Sequence, residues 1–425
     1  KCIIKLSVYK IHPHCFSRQC KKKGSKKMKK RIILFLITFI LVFLINTNSK
    51  AATFNVANIT ELNTAIATIN GAPDSDIINI TADILTGGTA ITTLSQPATI
   101  NAGGNTIDGQ GLGSLFNLTG TNTVNFSTNV FINNGTRAAG GGIYANSVAD
   151  ITASGTISFS SNTATAGAAG ALQLTGIGAT FTASDDVTFV GNDASDYAGA
   201  INGNASDINF TGANSTVLFD QNTAGSFGGA INLTSATFDT AGTTTFSTNT
   251  ATNNGGAIFM NAGSDFAATG TLSFLNNSVT TDDGGAIYMT GSGTTFTASE
   301  DVTFTGNVAG VDGNDSGGAI YALDSSDTDF TGANATILFD QNTAGGDGGA
   351  VYVSNSTLDI AGSTTFHNNT AGYGGGALRI ADGGDFTITN TVVFSSNTAT
   401  TTHGGAVNLG NAGTTFTASG DASFT

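Results

Sequence analysis

From Ala52 onward the 425-residue chain has no cysteine, no tryptophan, two prolines and only two basic residues, Arg137 and Arg379. Each shortage excludes something. Without cysteine there are no disulfide staples, no thiolate metal sites and no thiol nucleophile. Two cations against 29 acids leave this part with a net charge of −27. Such a surface repels nucleic acid and anionic lipid, so neither is expected as a partner. What the chain does have is abundant Gly, Ala, Thr, Asn and Ser, with Phe, Ile and Val at fixed offsets. The regular spacing argues against disorder, because each repeat offers apolar groups that a neighbour can cover.

The first 51 residues are different. They hold thirteen of the fifteen Lys and Arg, all three Cys and no acid. Met28 is followed by Lys29-Lys30-Arg31, an apolar run from Ile32 to Ile45 broken only by Thr38, and the close Ser49-Lys50-Ala51. That pattern reads as a secretory signal peptide over residues 28–51, cut after Ala51. The run is short for a membrane-spanning helix, which needs about 20 residues. Residues 1–27 precede the start Met and read as an upstream extension without a structural role.

Then comes a repeat. A Phe-x-x-Asn tetrad starts at Phe131, Phe159, Phe189, Phe219, Phe246, Phe274, Phe304, Phe339, Phe366 and Phe394, in steps of 27 to 35 residues, and Phe424 follows. Between tetrads lies Gly-Gly-Ala-Ile at 228–231, 255–258, 284–287 and 317–320, with Val or Leu variants at 348–351, 375–378 and 404–407. A period in this range means stacked coils, not a globular core. Within one coil, Ile287 and Met289, then Phe296 and Ala298, then Val302 and Phe304 alternate with polar neighbours, which gives three short strands. A coil of about 28–30 residues with three strands predicts an all-β parallel β-helix, each strand pairing with its equivalent about 4.8 Å along the axis.

The motif residues then have physical tasks. Phe219, Phe246, Phe274, Phe304 and Phe339 are expected to stack inside the prism. Asn222, Asn249, Asn277, Asn307 and Asn342 sit where the strand turns, each amide bonding its own backbone and the Asn above and below. The Gly pair permits positive φ and close approach, and Ala follows because the corner has little room. Residues 210–225 recur at 330–345 with two conservative changes, so a unit of four coils and 120 residues is duplicated. The long step from Phe304 to Phe339 carries Val311-Asp312-Gly313-Asn314-Asp315, read as a loop standing off the stack and a contact candidate. Residues 52–120 read as the cap and first coils, with a helix N-capped by Thr60 and a first strand at 76–80; residues 121–425 read as the repeat solenoid, cut short inside its last tetrad.

The alternation of Gly-Gly-Ala-Ile with Phe-x-x-Asn, from Phe131 to Val407, resembles the polymorphic outer membrane proteins of chlamydiae and relatives. The resemblance implies a right-handed, pectate-lyase-like β-helix passenger of an autotransporter, with adhesin roles, a cell-surface protein or glycan as receptor, and a C-terminal β-barrel in the outer membrane. Lack of cysteine in the passenger departs from many chlamydial members.

For adhesion the surface to watch is the position after the Ile of the tetrad, occupied by Tyr144, Phe259, Tyr288, Tyr321 and Tyr352, then Arg379. In register these rings form an outward ladder, which either docks sugars and apolar side chains or only stabilises the sheet. A β-helix polysaccharide lyase or hydrolase is the alternative. Arg137 and Arg379, however, lie about eight coils apart, and Asp186 and Asp301 occupy one turn position of the repeat, so no enzymatic activity is expected. His367 and His403 read as surface variation. No cofactor is expected; calcium at Gly345-Gly346-Asp347-Gly348-Gly349 is a weaker expectation, since the spacing of Gly/Asp calcium repeats is not kept. A passive surface coat, or an ice-binding face on Thr294-Thr295, Thr414-Thr415 and Thr243-Thr244-Thr245, is the third class.

Overall fold

A computed structural model describes residues 51–71, 74–120, 122–146, 148–310 and 312–425. The signal peptide and the upstream extension, up to residue 50, lie outside the described residues, as does Val311. Among the described residues the strands run parallel and form a 23-stranded, a 13-stranded and a 10-stranded sheet. Together they make a right-handed parallel β-helix of about 11 turns.

One coil shows how. Ile287–Thr290 and Thr295–Ala298 lie in the large sheet, Val302–Thr305 in the second and Val308–Ala309 in the third. The three expected strands are there, joined by a fourth of two residues. In the first three, buried and half-buried positions alternate, so Ile287, Met289, Phe296, Ala298, Val302 and Phe304 all point into the prism. Each strand pairs with its equivalent one coil on, as Phe274 with Phe304 and Phe304 with Phe339. Phe rings from Phe159 to Phe424 stack face to face, with centroids 4.7–5.0 Å apart.

The ladder of asparagines is buried and points one way. Asn222 Nδ2 donates to Asn249 Oδ1 at 2.9 Å, Asn249 to Asn277 at 2.9 Å, Asn277 to Asn307 at 3.0 Å and Asn307 to Asn342 at 2.9 Å. The second amide proton reaches back to a Phe carbonyl of the preceding coil, as Asn277 to Phe246 at 3.0 Å, and not to the residue's own backbone as expected. In most coils the residue before each ladder Asn turns the chain in the left-handed region: Gln221, Thr248, Asn276, Gly306 and Gln341 all have φ of 55–66°.

The first apparent tetrad proves to be a coincidence of sequence. Ile132, not Phe131, faces Phe159 across the register, and Phe131 faces Ser158. Gly135 takes the ladder position and donates its N–H to Asn162 Oδ1 at 2.9 Å. Ile132 is the better inward group here because it is flanked by Val130, also inward.

The cap also differs in detail. α1, Ile59–Ile69, is N-capped by Asn58, whose Oδ1 accepts from the Glu61 N–H at 3.0 Å, two residues before the expected Thr60. Its Leu62, Ala65, Ile66 and Ile69 cover the open end of the core. The first strand is β1, Thr53–Val56, which pairs with Asp76–Ile80.

On the outer surface of the second strand of each coil, one position reads Thr123, Asp150, Thr180, Asp207, Thr237, Asp265, Thr295, Asp327, Thr357, Asp385, Thr415. Thr and Asp alternate without exception. Thr180 donates to Asp150 at 2.9 Å and Thr237 to Asp207 at 2.8 Å, and Thr295, Thr357 and Thr415 each bond the Asp one coil before. Thr294 is buried, as is Thr244, so the flat threonine array of the ice-binding reading does not form.

Candidate functional site: an aromatic column outside the core

The tetrad places its Ile inward and turns the next side chain outward. Phe259, Tyr288, Tyr321, Tyr352 and Arg379 follow one another in register. Their rings stack: Phe259 on Tyr288 at 5.2 Å, Tyr288 on Tyr321 at 5.3 Å, Tyr321 on Tyr352 at 4.7 Å. Tyr144 shares the row but stands apart, because Gln173, Asn202 and Asn232 come between it and Phe259. Its ring carries the Arg137 guanidinium, 4.4 Å from the centroid.

The column is longer than the strand row. Phe227 lies 4.8 Å from Phe259, and Tyr197 stacks on Phe227 at 5.6 Å. Both come from the loop before the tetrad, five residues ahead of the strand position. A complementary rule links the two sites. Where the loop residue is aromatic, Tyr197 or Phe227, the strand residue is Asn202 or Asn232. Where the loop residue is Asn254, Asp283, Ser316 or Asp347, the strand residue is Phe259, Tyr288, Tyr321 or Tyr352. Each of these six coils thus inserts one ring. A search for that pairing five residues apart finds Tyr197 and Phe227, which a scan of the strand position alone misses.

The loop residues form a ladder of their own. Asn254 Oδ1 accepts from the Asp283 N–H at 3.0 Å, Asp283 Oδ1 from Ser316 at 2.7 Å, Ser316 Oγ from Asp347 at 3.1 Å and Asp347 Oδ1 from Gly374 at 2.6 Å. Asp347 Oδ2 lies 3.8 Å from Arg379 Nε, so this carboxylate already serves its neighbours. The inserted loop is drawn into the same ladder. Asp315 is buried; its Oδ1 accepts from Asp282 N–H at 3.2 Å and its Oδ2 from Asp312 N–H at 3.0 Å. The loop is clamped at this end, not standing clear, and Asp312 and Asn314 are its exposed residues.

Burial changes what the column offers. The ladder was expected to be exposed, yet Phe259 is 8% exposed and the three tyrosines are half-buried beside the acidic loops. Burial pushes the Tyr288 phenol up to about 12, with Asp283, Asp324 and Asp282 adding, and burial likewise raises Tyr321 and Tyr352. The hydroxyls therefore stay neutral donors. Since each inner ring has a ring on both faces, only edges and hydroxyls are left for a ligand, which rules out sugar stacking along the column. Asp283 is itself pushed up to about 7, first by burial and then by Asp282 and Asp315, against the Ser316 hydrogen bond.

The residues considered for catalysis have other work. Asp186 and Asp301 each accept the N–H of the next coil, Thr216 and Thr336, at 2.7 Å. Arg379 donates to Asn408 at 2.7 Å, and His367 Nδ1 lies 2.8 Å from Asp340.

Comparison with known families agrees with this geometry. The Chlamydia polymorphic membrane protein repeat matches residues 216–234, 243–261, 271–290, 301–323, 336–354 and 363–380, each a stretch running from a Phe-x-x-Asn strand through the next tetrad. In these six coils the chain is similar to that family's repeat. Similar proteins include a probable outer membrane protein, pmp6, of Chlamydia pneumoniae, 35% identical over 168 residues, and the probable autotransporter YfaL of Escherichia coli K12, 39% identical over 116 residues. The matches cover 36% and 25% of this chain, and only 13% and 9% of those relatives. No solved structure matches. The matched repeats and both relatives support an autotransporter-like passenger of the outer membrane surface or the space beyond it.

Proposed function

We propose that the solenoid is a non-enzymatic adhesive passenger that engages a protein or glycan on another cell through the edge of the aromatic column. One observation carries this reading: six coils each supply a single ring to one outer row, from either of two sequence positions. Core packing does not require such a row, since the Phe ladder fills the prism without it. Neutral tyrosine hydroxyls lie there near the acids Asp283, Asp324 and Asp347, a donor and acceptor strip suited to hydroxyl-rich or amide-rich partners. In this proposal the passenger is held at the outer membrane by a β-barrel beyond Thr425.

The test separates stacking from recognition. In the triple variant Tyr288→Phe, Tyr321→Phe, Tyr352→Phe the rings stack as before while the hydroxyls are gone. Cell adhesion of beads coated with the variant should fall to the level of an acidic control protein, with thermal stability unchanged. If wild-type beads adhere no better than that control, the solenoid is a passive coat and the adhesive reading is wrong.

A further inference from the structure

The cap holds a carboxylate in an apolar row. In the strand Asp76–Ile80, Asp76, Ile78 and Ile80 point into the prism. Asp76 is 3% exposed, and the equivalent positions one and two coils on carry Ala98 and Val124. A charge in such a place is costly unless a cation or hydrogen bonds meet it. No basic side chain of the cap can: between Ala52 and Arg137 there is no Lys, Arg or His, and Arg137 lies over the Tyr144 ring in a later coil. Asp74, two residues before, adds a second acid, whose Oδ2 is buried without a partner.

The group that meets Asp76 is the backbone nitrogen of Ala52. It donates to Asp76 Oδ1 at 2.6 Å, while the Ala52 carbonyl accepts from the Ile77 N–H at 2.8 Å. Ala52 thus stands opposite Asp76, directly before the pairing of Thr53 with Ile77 that opens the first rung. Ala51 and Ala52 are both exposed, and the solenoid unit begins at Ala51. The bond between them is the one at which the sequence places the signal-peptide cut, with Ser49 and Ala51 as the small residues before it.

Cutting there changes the donor. Hydrolysis by an export peptidase adds one water across the bond: Ala51 leaves as a carboxylate, and Ala52 keeps an α-ammonium, with three N–H donors and a full charge where the peptide had one neutral N–H. We propose that this ammonium is the ion-pair partner of Asp76, a lock made by processing itself, which fastens β1 to the coil beneath it. A charge-assisted bond is roughly twice as strong as a neutral one, and an extension left on Ala52 keeps only the neutral bond. The lock rests on the signal-peptide reading and is independent of the adhesive one.

From Ala52 onward the chain has no lysine, so the processed protein carries a single amine. N-terminal sequencing of the exported chain should begin at Ala52. Labelling by a succinimidyl ester should run roughly tenfold more slowly in the native chain than in urea, because the ion pair keeps the nitrogen protonated. Asp76→Asn keeps an acceptor of the same size without the charge, and its native chain should label about as fast as the unfolded one. A second variant leaves Asp76 untouched. One glycine added before Ala52 carries the ammonium away, and hydrogen exchange at the Ile77 amide, which bonds the Ala52 carbonyl, should become several-fold faster. A first residue other than Ala52, native labelling as fast as labelling in urea, or unchanged exchange in the extended chain would each overturn the proposal.

Discussion

At the residue scale the repeat is decided by where a Cβ is tolerated. The two glycines of each tetrad differ in kind. The first has φ near +70°, as at Gly255 and Gly284, and Ala169 and Ala198 take that conformation in earlier coils at φ 61° and 56°. At the second, a Cβ on Gly256 would overlap the carbonyl oxygen of Gly285, and one on Gly285 that of Gly318. A Cβ on Gly255 would also crowd the Ile258 carbonyl oxygen, but Ala169 and Ala198 show that this corner can open to admit one, so Gly255→Ala should cost about 1 kcal/mol. Gly256→Ala should cost about 3 kcal/mol or more, because the backbone in its way belongs to the next coil and the two coils must separate. Urea denaturation of the two variants checks the order; equal losses would mean that close approach is not what the second glycine secures.

At the element scale the inserted loop is the instructive case. Its existence was legible in the long step between Phe304 and Phe339, because a strand period exposes any surplus residues. Its clamp was not, since the bonds from Asp282 and Asp283 to residues 315 and 316 join loops 33 residues apart whose conformation no period dictates. The clamp has a pH dependence. Burial raises the folded Asp283 carboxyl to about 7, above the unfolded value of about 4, so folding favours its protonated form. Its stabilising contribution is complete below pH ~4 and is lost as pH rises through about 7. Asp283→Asn keeps the acceptor for Ser316 without the charge. It should melt higher than wild type above pH ~7 and converge with it near pH ~4. A gap that widens on acidification would reverse the sign and refute the assignment.

At the scale of the whole molecule, stability passes from coil to neighbouring coil. Asn277 is one link: besides its own two bonds, its Oδ1 accepts from the Asn249 N–H at 3.0 Å and Nδ2 at 2.9 Å. Asn277→Ala leaves buried donors unpaired on the adjoining coil, about 1–3 kcal/mol each. Urea unfolding followed by circular dichroism should then split into two transitions, one for each side of the weakened interface; a single transition at the wild-type midpoint would sink this expectation. The architecture was legible because every coil repeats one geometry, which forces Phe, Asn and Gly to recur. The one core error, Phe131, arose because a tetrad of common residues occurs by chance one position out of register. The column was half legible. Its strand rings share one offset, whereas Tyr197 and Phe227 reach the same row from a loop, and a linear period does not see that two offsets converge in space.

The alternation of Thr and Asp along the second strand gives the solenoid a parity. Every carboxylate of that row is insulated from the next by a hydroxyl, whereas Asp329 and Asp359, in the neighbouring row, face each other directly and both have raised pKa values, from burial first and nearby acids second. Losing or gaining one coil would join like to like across the seam, either Thr to Thr or Asp to Asp about 4.8 Å apart. Losing or gaining two would heal without trace. The 120-residue duplication inserts four coils, an even number, and the row continues through it undisturbed. A change of length by pairs of coils therefore keeps this row in phase, whereas a change by a single coil breaks it.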